Sequence, residues 1–262
     1  MVFVHLLSIA TAVSFLVGAA VVKVDISREL EGVHNALVAE LKVDGQEVKA
    51  VVDTGARETF LIWRHWFNGV APGGCETILY GCYECTPEPC VKGPTKEVSL
   101  VDDTEITFFE HTGKFASDVG EVSIDFGLTA DYKSPSSKIE PHAGIGLRSS
   151  GKSTGGPKTL IDQLVSKEVI DTDAFSLHLA TDEHATGKLI LGGDDPDSYK
   201  EPMGFALVVD TDYVTVTGFH IGGEAYLTEV PVVSRGYLDT GSEVIAVPEQ
   251  YLVTVVVSIA TR

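Results

Sequence analysis

An apolar run that ends in Asp-Thr-Gly occurs twice in this chain, and no other feature narrows its fold so far. Ala50-Val51-Val52 leads into Asp53-Thr54-Gly55, and Gly236-Tyr237-Leu238 leads into Asp239-Thr240-Gly241-Ser242, 186 residues further on. An apolar run of this length reads as a buried strand, so each aspartate is expected at the end of a buried element. Desolvation there raises a carboxyl pKa unless something compensates. Two such carboxyls facing each other cannot both ionise cheaply. They share one proton, leaving one base and one acid in the same place, which suits water-mediated attack on an amide. A lone Asp-Thr-Gly carries little weight, because Asp and Gly are ordinary turn residues. Asp171-Thr172-Asp173 and Asp210-Thr211-Asp212 lack the glycine and the apolar approach and read as turns.

The surroundings of the first copy follow the same logic. Residues 36–43 and 46–52 flank Asp44-Gly45, a pair suited to a tight hairpin turn. Further on come the apolar-Gly run Ala143-Gly144-Ile145-Gly146-Leu147, then Phe175-Ser176-Leu177-His178-Leu179, then Gly187-Lys188-Leu189-Ile190-Leu191-Gly192-Gly193-Asp194 and Tyr199. In this order, over residues 37–248, the chain resembles the pepsin-like aspartic proteases. The resemblance implies a mostly all-β, bilobal acid-protease fold, and an endopeptidase in which Asp53 and Asp239 are catalytic. Thr54, Gly55, Thr240, Gly241 and Ser242 would brace the two loops. No cofactor and no metal would be required. The substrate would be a polypeptide, cleaved best in acid, by a monomer. The alternative is a catalytically impaired peptide-binding or inhibitor-type relative. A one-lobe retroviral-type dimer fits poorly, since both aspartate runs stand on one chain.

Several positions depart from the family's pattern. Ala56 stands where a serine usually follows the glycine, so one hydroxyl donor to the first carboxylate is missing, while Ser242 keeps it in the second copy. Trp63 matches the family's tryptophan, slightly shifted, and also reads as a core aromatic. The flap tyrosine that covers the family's cleft has no counterpart in Ile106-Thr107-Phe108-Phe109-Glu110-His111-Thr112-Gly113. Phe108 or Phe109 is expected to close the cleft by packing, and His111 reads as a solvated loop histidine. The strands completing the family's second lobe do not follow residue 248, although residues 249–259 are expected to start a helix. The second lobe is therefore expected to be incomplete. The expected division is 1–20 signal peptide, 21–198 N-terminal lobe and 199–262 partial C-terminal lobe.

Length and composition agree with a folded chain: 262 residues, 44% of them hydrophobic, can bury a substantial core. The net charge of −19 argues against a nucleic-acid partner, because phosphate would be repelled. Residues 2–20 are almost wholly apolar and end in Gly18-Ala19-Ala20, as a signal peptide does, though no Lys or Arg stands near Met1. Membrane attachment would follow only if this segment stayed uncleaved. The expected route is secretory, to the exterior or to an acidic vacuole- or lysosome-like compartment.

Cys75, Cys82, Cys85 and Cys90 lie in one Gly- and Pro-rich stretch and read as two disulfides, with three pairings open. A zinc site would want a second Cys-x-x-Cys step, which does not follow. The position resembles the cysteine-rich insert of plant nepenthesin-like enzymes. Gly146-Leu147-Arg148-Ser149-Ser150-Gly151-Lys152-Ser153 fits a phosphate-loop pattern, but Gly155, Gly156 and Pro157 disfavour the helix that such a loop requires, so no nucleotide is expected. A short helix is expected over 159–169.

Overall fold

The computed structural model describes residues 20–31, 34–86, 90–135, 140–148, 158–181, 185–199, 204, 206, 208–209, 213–221, 228–242 and 244–260. Strands β1 (Val22–Glu31), β2 (His34–Val43) and β3 (Gln46–Asp53) run antiparallel in succession. The β2–β3 turn places Asp44 at φ 49° and Gly45 at φ 77°, the left-handed pair that a two-residue hairpin needs. β4 (Phe60–Ile62), helix α1 (Arg64–Val70) and a 3-10 turn over Gly74–Glu76 come next. β5 (Thr95–Ser99), β6 (Glu105–Ser117), β7 (Gly120–Lys133) and β8 (Gly144–Gly146) follow.

Six of these strands close on themselves. Their order is β6-β7-β4-β8-β3-β2, and the pairs Lys42↔Ala116 and Val43↔Phe115 join β2 back to β6. The result is a closed six-stranded barrel with β5, β1 and two later strands added at its margins, which is consistent with one pepsin-like lobe. Burial alternates over residues 109–115 of β6 and 122–126 of β7, as a half-buried strand requires, and is continuous over residues 126–129. Val38, Val52, Leu61, Phe109, Phe115, Leu128 and Ile145 form the centre of the core. Each such side chain contributes about 1.5–3 kcal/mol through burial, and Leu164, Leu189 and Leu191 from later elements belong to the same core.

Helix α2 (Leu160–Ser166) is opened by a reciprocal cap: Asp162 N–H donates to Thr159 Oγ1, and Thr159 N–H donates to Asp162 Oδ2. It is shorter than the sequence expectation because Glu168 turns to φ 57° and ends it. β9 (Phe175–Leu179) and β10 (Gly187–Leu191) pair as expected, and β10 also receives β1. Residues 171–173 are bends, as read from the sequence.

A second, three-stranded sheet consists of β11 (Val208–Val209), β12 (Tyr213–Ile221) and β13 (Thr228–Tyr237), followed by helix α3 (Glu249–Ala260). The mostly β architecture is thus as expected. The expected signal segment lies almost wholly outside the described residues, as do residues 149–157 of the phosphate-loop-like stretch and residues 210–212. Among the described residues no helix is long and apolar enough to cross a membrane.

Candidate active site

β3 is an interior strand, bonded antiparallel to β2 on one side and parallel to β8 on the other, with Asp53 opposite Gly146. Apolar Ala50, Val51 and Val52 bury this strand, and its rigidity fixes where Asp53 emerges. The loop after it is tied down again by Leu147 N–H to Asp53 O at 2.9 Å and Arg148 N–H to Ala56 O at 2.9 Å. β13, paired among the described strands with β12 alone, ends two residues before Asp239.

Each aspartate is held by its own loop and faces the other loop's glycine. Gly55 N–H donates to Asp53 Oδ1 at 2.7 Å, and Gly241 N–H donates to Asp239 Oδ1 at 3.0 Å. A Cβ on Gly55 would stand 2.8 Å from Asp239 Oδ1, and one on Gly241 would stand 2.5 Å from Asp53 Cγ. Glycine is required at both places by this close approach. The structure therefore seats each carboxyl against the opposite loop's glycine, close enough for the Asp239 charge to act on Asp53.

The threonines lock the loops together. Thr54 N–H donates to Thr240 Oγ1 at 3.2 Å, and Thr240 N–H donates to Thr54 Oγ1 at 3.0 Å. The hydroxyls pass their own protons on, Thr54 Oγ1 to Leu238 O at 2.7 Å and Thr240 Oγ1 to Val52 O at 2.6 Å. These four bonds obey an approximate twofold exchange of the two Asp-Thr-Gly runs.

Burial pushes the Asp53 carboxyl above the ordinary aspartate range. The neighbouring Asp239 carboxyl acts in the same direction, while the N–H groups of Gly55 and Ala56 pull it down. Ala56 N–H, 3.0 Å from Asp53 Oδ1, supplies a backbone donor where the expected serine hydroxyl is missing. Ser242 departs from expectation: its hydroxyl donates to Val244 O at 3.1 Å, not to Asp239.

Phe108 and Phe109 are also not where the sequence suggests. Both are buried within β6, Phe108 beside Phe60 and Ile106, and Phe109 edge-on to Trp63 at 5.1 Å between ring centroids. The hairpin tip in this region lies earlier, at residues 100–104, where Leu100 N–H donates to Thr104 O and the Asp102 carboxylate accepts from Thr104 N–H and Oγ1. Phe109 packs into the main core and Phe108 into a separate apolar cluster with Phe60 and Ile106, beside a register shift at Thr107/Phe108.

His111, expected in a solvated loop, is half-buried in β6. Its Nε2 lies 3.1 Å from Tyr83 Oη, which donates to Asp44 Oδ2 at 2.6 Å. The four cysteines pair as Cys75–Cys82 and Cys85–Cys90. Cys85, Cys90 and His111 bring one potential metal-ligand atom each within 4.8 Å of one another. The two sulfurs are bonded together and so are not available as thiolate ligands.

Tyr237 was not singled out by sequence reasoning, yet its hydroxyl donates to Thr54 O at 2.7 Å, from one loop's approach strand to the other loop. Its only sequence signal is a polar-tipped aromatic two residues before an aspartate, where the first copy has Val51.

Comparison with known proteins agrees with this architecture. Gastricsin of Cavia porcellus is 31% identical over 123 residues, which is 45% of this chain and 30% of gastricsin. Renin-2 of Mus musculus is 27% identical over 111 residues, covering 41% of this chain and 27% of renin-2. Gastricsin of Mus musculus is 26% identical over 132 residues, covering 49% and 34%. The chain spans about a third of the length of the curated relatives it matches. The sequence profile described as "Eukaryotic aspartyl protease" matches residues 112–262, which include Asp239 and leave Asp53 outside. That match covers more than half of the chain, and the protein belongs to the eukaryotic aspartyl protease family.

Proposed function

We propose that this chain carries the paired-aspartate site of a pepsin-like endopeptidase, with Asp53 and Asp239 as the catalytic residues. The observation that carries the reading is the reciprocal seating of each carboxyl against the other loop's glycine. One proton serves the pair. The ionised member takes a proton from a water held between them, and that water attacks the scissile carbonyl carbon. The protonated member gives its proton to the carbonyl oxygen, forming a tetrahedral diol. A second transfer to the leaving nitrogen breaks the C–N bond. The substrate is a polypeptide lying in a cleft between an N-terminal lobe (residues 21–198) and the C-terminal lobe begun by residues 199–262. The protein acts as a monomer in an acidic compartment of the secretory route, after loss of residues 1–20.

The test is cleavage of an unstructured protein by purified wild type, Asp53→Asn and Asp239→Asn across acid pH. Wild type is expected to cleave and each variant to lose at least about a thousandfold in kcat, since either change removes half of the acid–base pair. Equal proteolysis by wild type and variants would remove both residues from the mechanism.

One observation favours the second reading, a binding or inhibitor-type protein. Leu238, Val244 and Ile245 around the second loop are exposed, and Ser242 does not brace Asp239. A tetrahedral-intermediate mimic separates the two readings, because only a working pair binds it much more tightly than substrate.

A further inference from the structure

The two Asp-Thr-Gly loops are nearly symmetric, and Tyr237 breaks the symmetry. Its hydroxyl donates to the carbonyl of Thr54 at 2.7 Å. That carbonyl belongs to the same planar peptide group as the N–H of Gly55, which donates to Asp53 Oδ1 at 2.7 Å. The three groups form one line: phenol O–H, peptide C=O with N–H, carboxylate. Among the described residues the second loop has no such input: the position equivalent to Tyr237 is Val51, an apolar residue whose strand is bonded to β2 and β8. The tyrosine ring is itself held. The Arg148 guanidinium carbon lies 5.7 Å from its centroid, the Tyr213 ring lies at 5.7 Å, and Arg148 N–H is anchored on Ala56 O in the first loop.

We propose that Tyr237 is a positioning residue that makes the two aspartates unequal: through the Thr54–Gly55 peptide it orients and polarises the N–H that serves Asp53. A hydrogen bond accepted by a peptide carbonyl strengthens the donor at the other end of that peptide, by roughly 10–30% per bond. A fixed carbonyl also fixes the direction of the N–H, since the peptide is planar. Both effects favour the charged form of Asp53 over what Gly55 would achieve alone. Among the described residues the charge acting on Asp53 is that of Asp239. Removing the phenol hydroxyl leaves that charge in place. The catalytic meaning of the proposal rests on the protease reading; its measurement does not.

The experiment is a carbon-13 NMR titration of the aspartate carboxyls in wild type, Tyr237→Phe and Tyr213→Phe, with Asp53→Asn and Asp239→Asn used for assignment. Tyr237→Phe is expected to move the Asp53 titration upward by about 0.4 pH unit, a weakening of one charge-assisted bond by a fraction of its strength. Tyr213→Phe, which strips a hydroxyl from the adjacent ring, is expected to leave it in place. 3-Fluorotyrosine at position 237, a more acidic phenol, is expected to move Asp53 downward, and it keeps the test decisive if the phenylalanine variant does not fold. Where turnover is measured, Tyr237→Phe is expected to lower kcat about fivefold with KM little changed. Lowered thermal stability with an unmoved Asp53 titration in the variant that folds overturns the proposal, because a brace without polarisation gives that result. Failure of wild type to cleave any polypeptide overturns the protease reading instead, and leaves the titration standing on its own.

Discussion

Thr54 and Thr240 exchange hydrogen bonds across the two aspartate loops, each N–H donating to the other's hydroxyl at 3.2 and 3.0 Å. Each hydroxyl then donates to the opposite approach strand, at Leu238 O and Val52 O. The loops are thus joined by a closed circuit in which every donor and acceptor is used. Such a circuit sets the spacing of the carboxyls more firmly than apolar contact, because hydrogen bonds are directional.

Thr240→Val keeps the shape of the side chain and removes its hydroxyl, leaving Val52 O and Thr54 N–H without their partner. The expected loss is about 1–3 kcal/mol in urea unfolding, the cost of part-buried groups left unsatisfied. Thr240→Ser keeps the oxygen and is expected to lose less than about 1 kcal/mol. Equal losses in the two variants would mean that the methyl group, not the circuit, matters.

Asp53→Asn is expected to stabilise the fold at neutral pH. Burial raises the folded-state pKa of Asp53, with Asp239 adding to it, so the folded chain binds this proton more tightly than the unfolded chain. Stability from this group is therefore present in full below the unfolded aspartate value of about 3.9. It falls as pH rises through the raised folded value. Asparagine keeps an acceptor for the N–H groups of Gly55 and Ala56 and has no charge to bury. Thermal melts of both proteins should diverge in favour of the variant as pH rises from strong acid to neutrality.

His111 gives the opposite pH dependence. Burial lowers its pKa, with the Asp44 charge opposing, so the unfolded chain binds this proton more tightly. Its contribution is present above the unfolded value of about 6.5 and is lost as pH falls from there through the folded value. His111→Gln keeps a donor toward Tyr83 Oη without a titrating ring. Urea midpoints of the variant are expected to fall less than those of wild type between pH 7 and pH 5. Parallel curves would show that this histidine does not carry the acid sensitivity.

Much of the framework can be read before any coordinates are seen. Asp44-Gly45 requires left-handed φ angles and therefore a tight turn, and the runs at 50–52, 143–147 and 187–191 are too apolar to lie anywhere but inside. The strand alternation of 105–117 also marks which residues of β6 face inward. It does not mark where the hairpin before it turns, and so Phe108 and Phe109 looked available for a role at a tip. The true tip is encoded by Asp102, whose carboxylate caps Thr104, and by Asp103 at φ 65°. Hydroxyl directions are less legible still. Ser242 turns to Val244 within its own loop, and Tyr237 reaches Thr54 because two distant loops meet. The same holds for His111, whose partner Tyr83 comes from the segment between the disulfides and is bonded in turn to Asp44 in the β2–β3 turn.

The order in which the chain is made gives the barrel a head start. Its last strand ends at Gly146, so a polypeptide leaving the ribosome can close it while the second loop is still unwritten. Asp239 appears roughly 5–20 s later at ordinary elongation rates. Through that interval Asp53 has its backbone donors but no second carboxyl beside it. The assembled pair of carboxyls is thus absent from the nascent chain, with timing supplied by length alone.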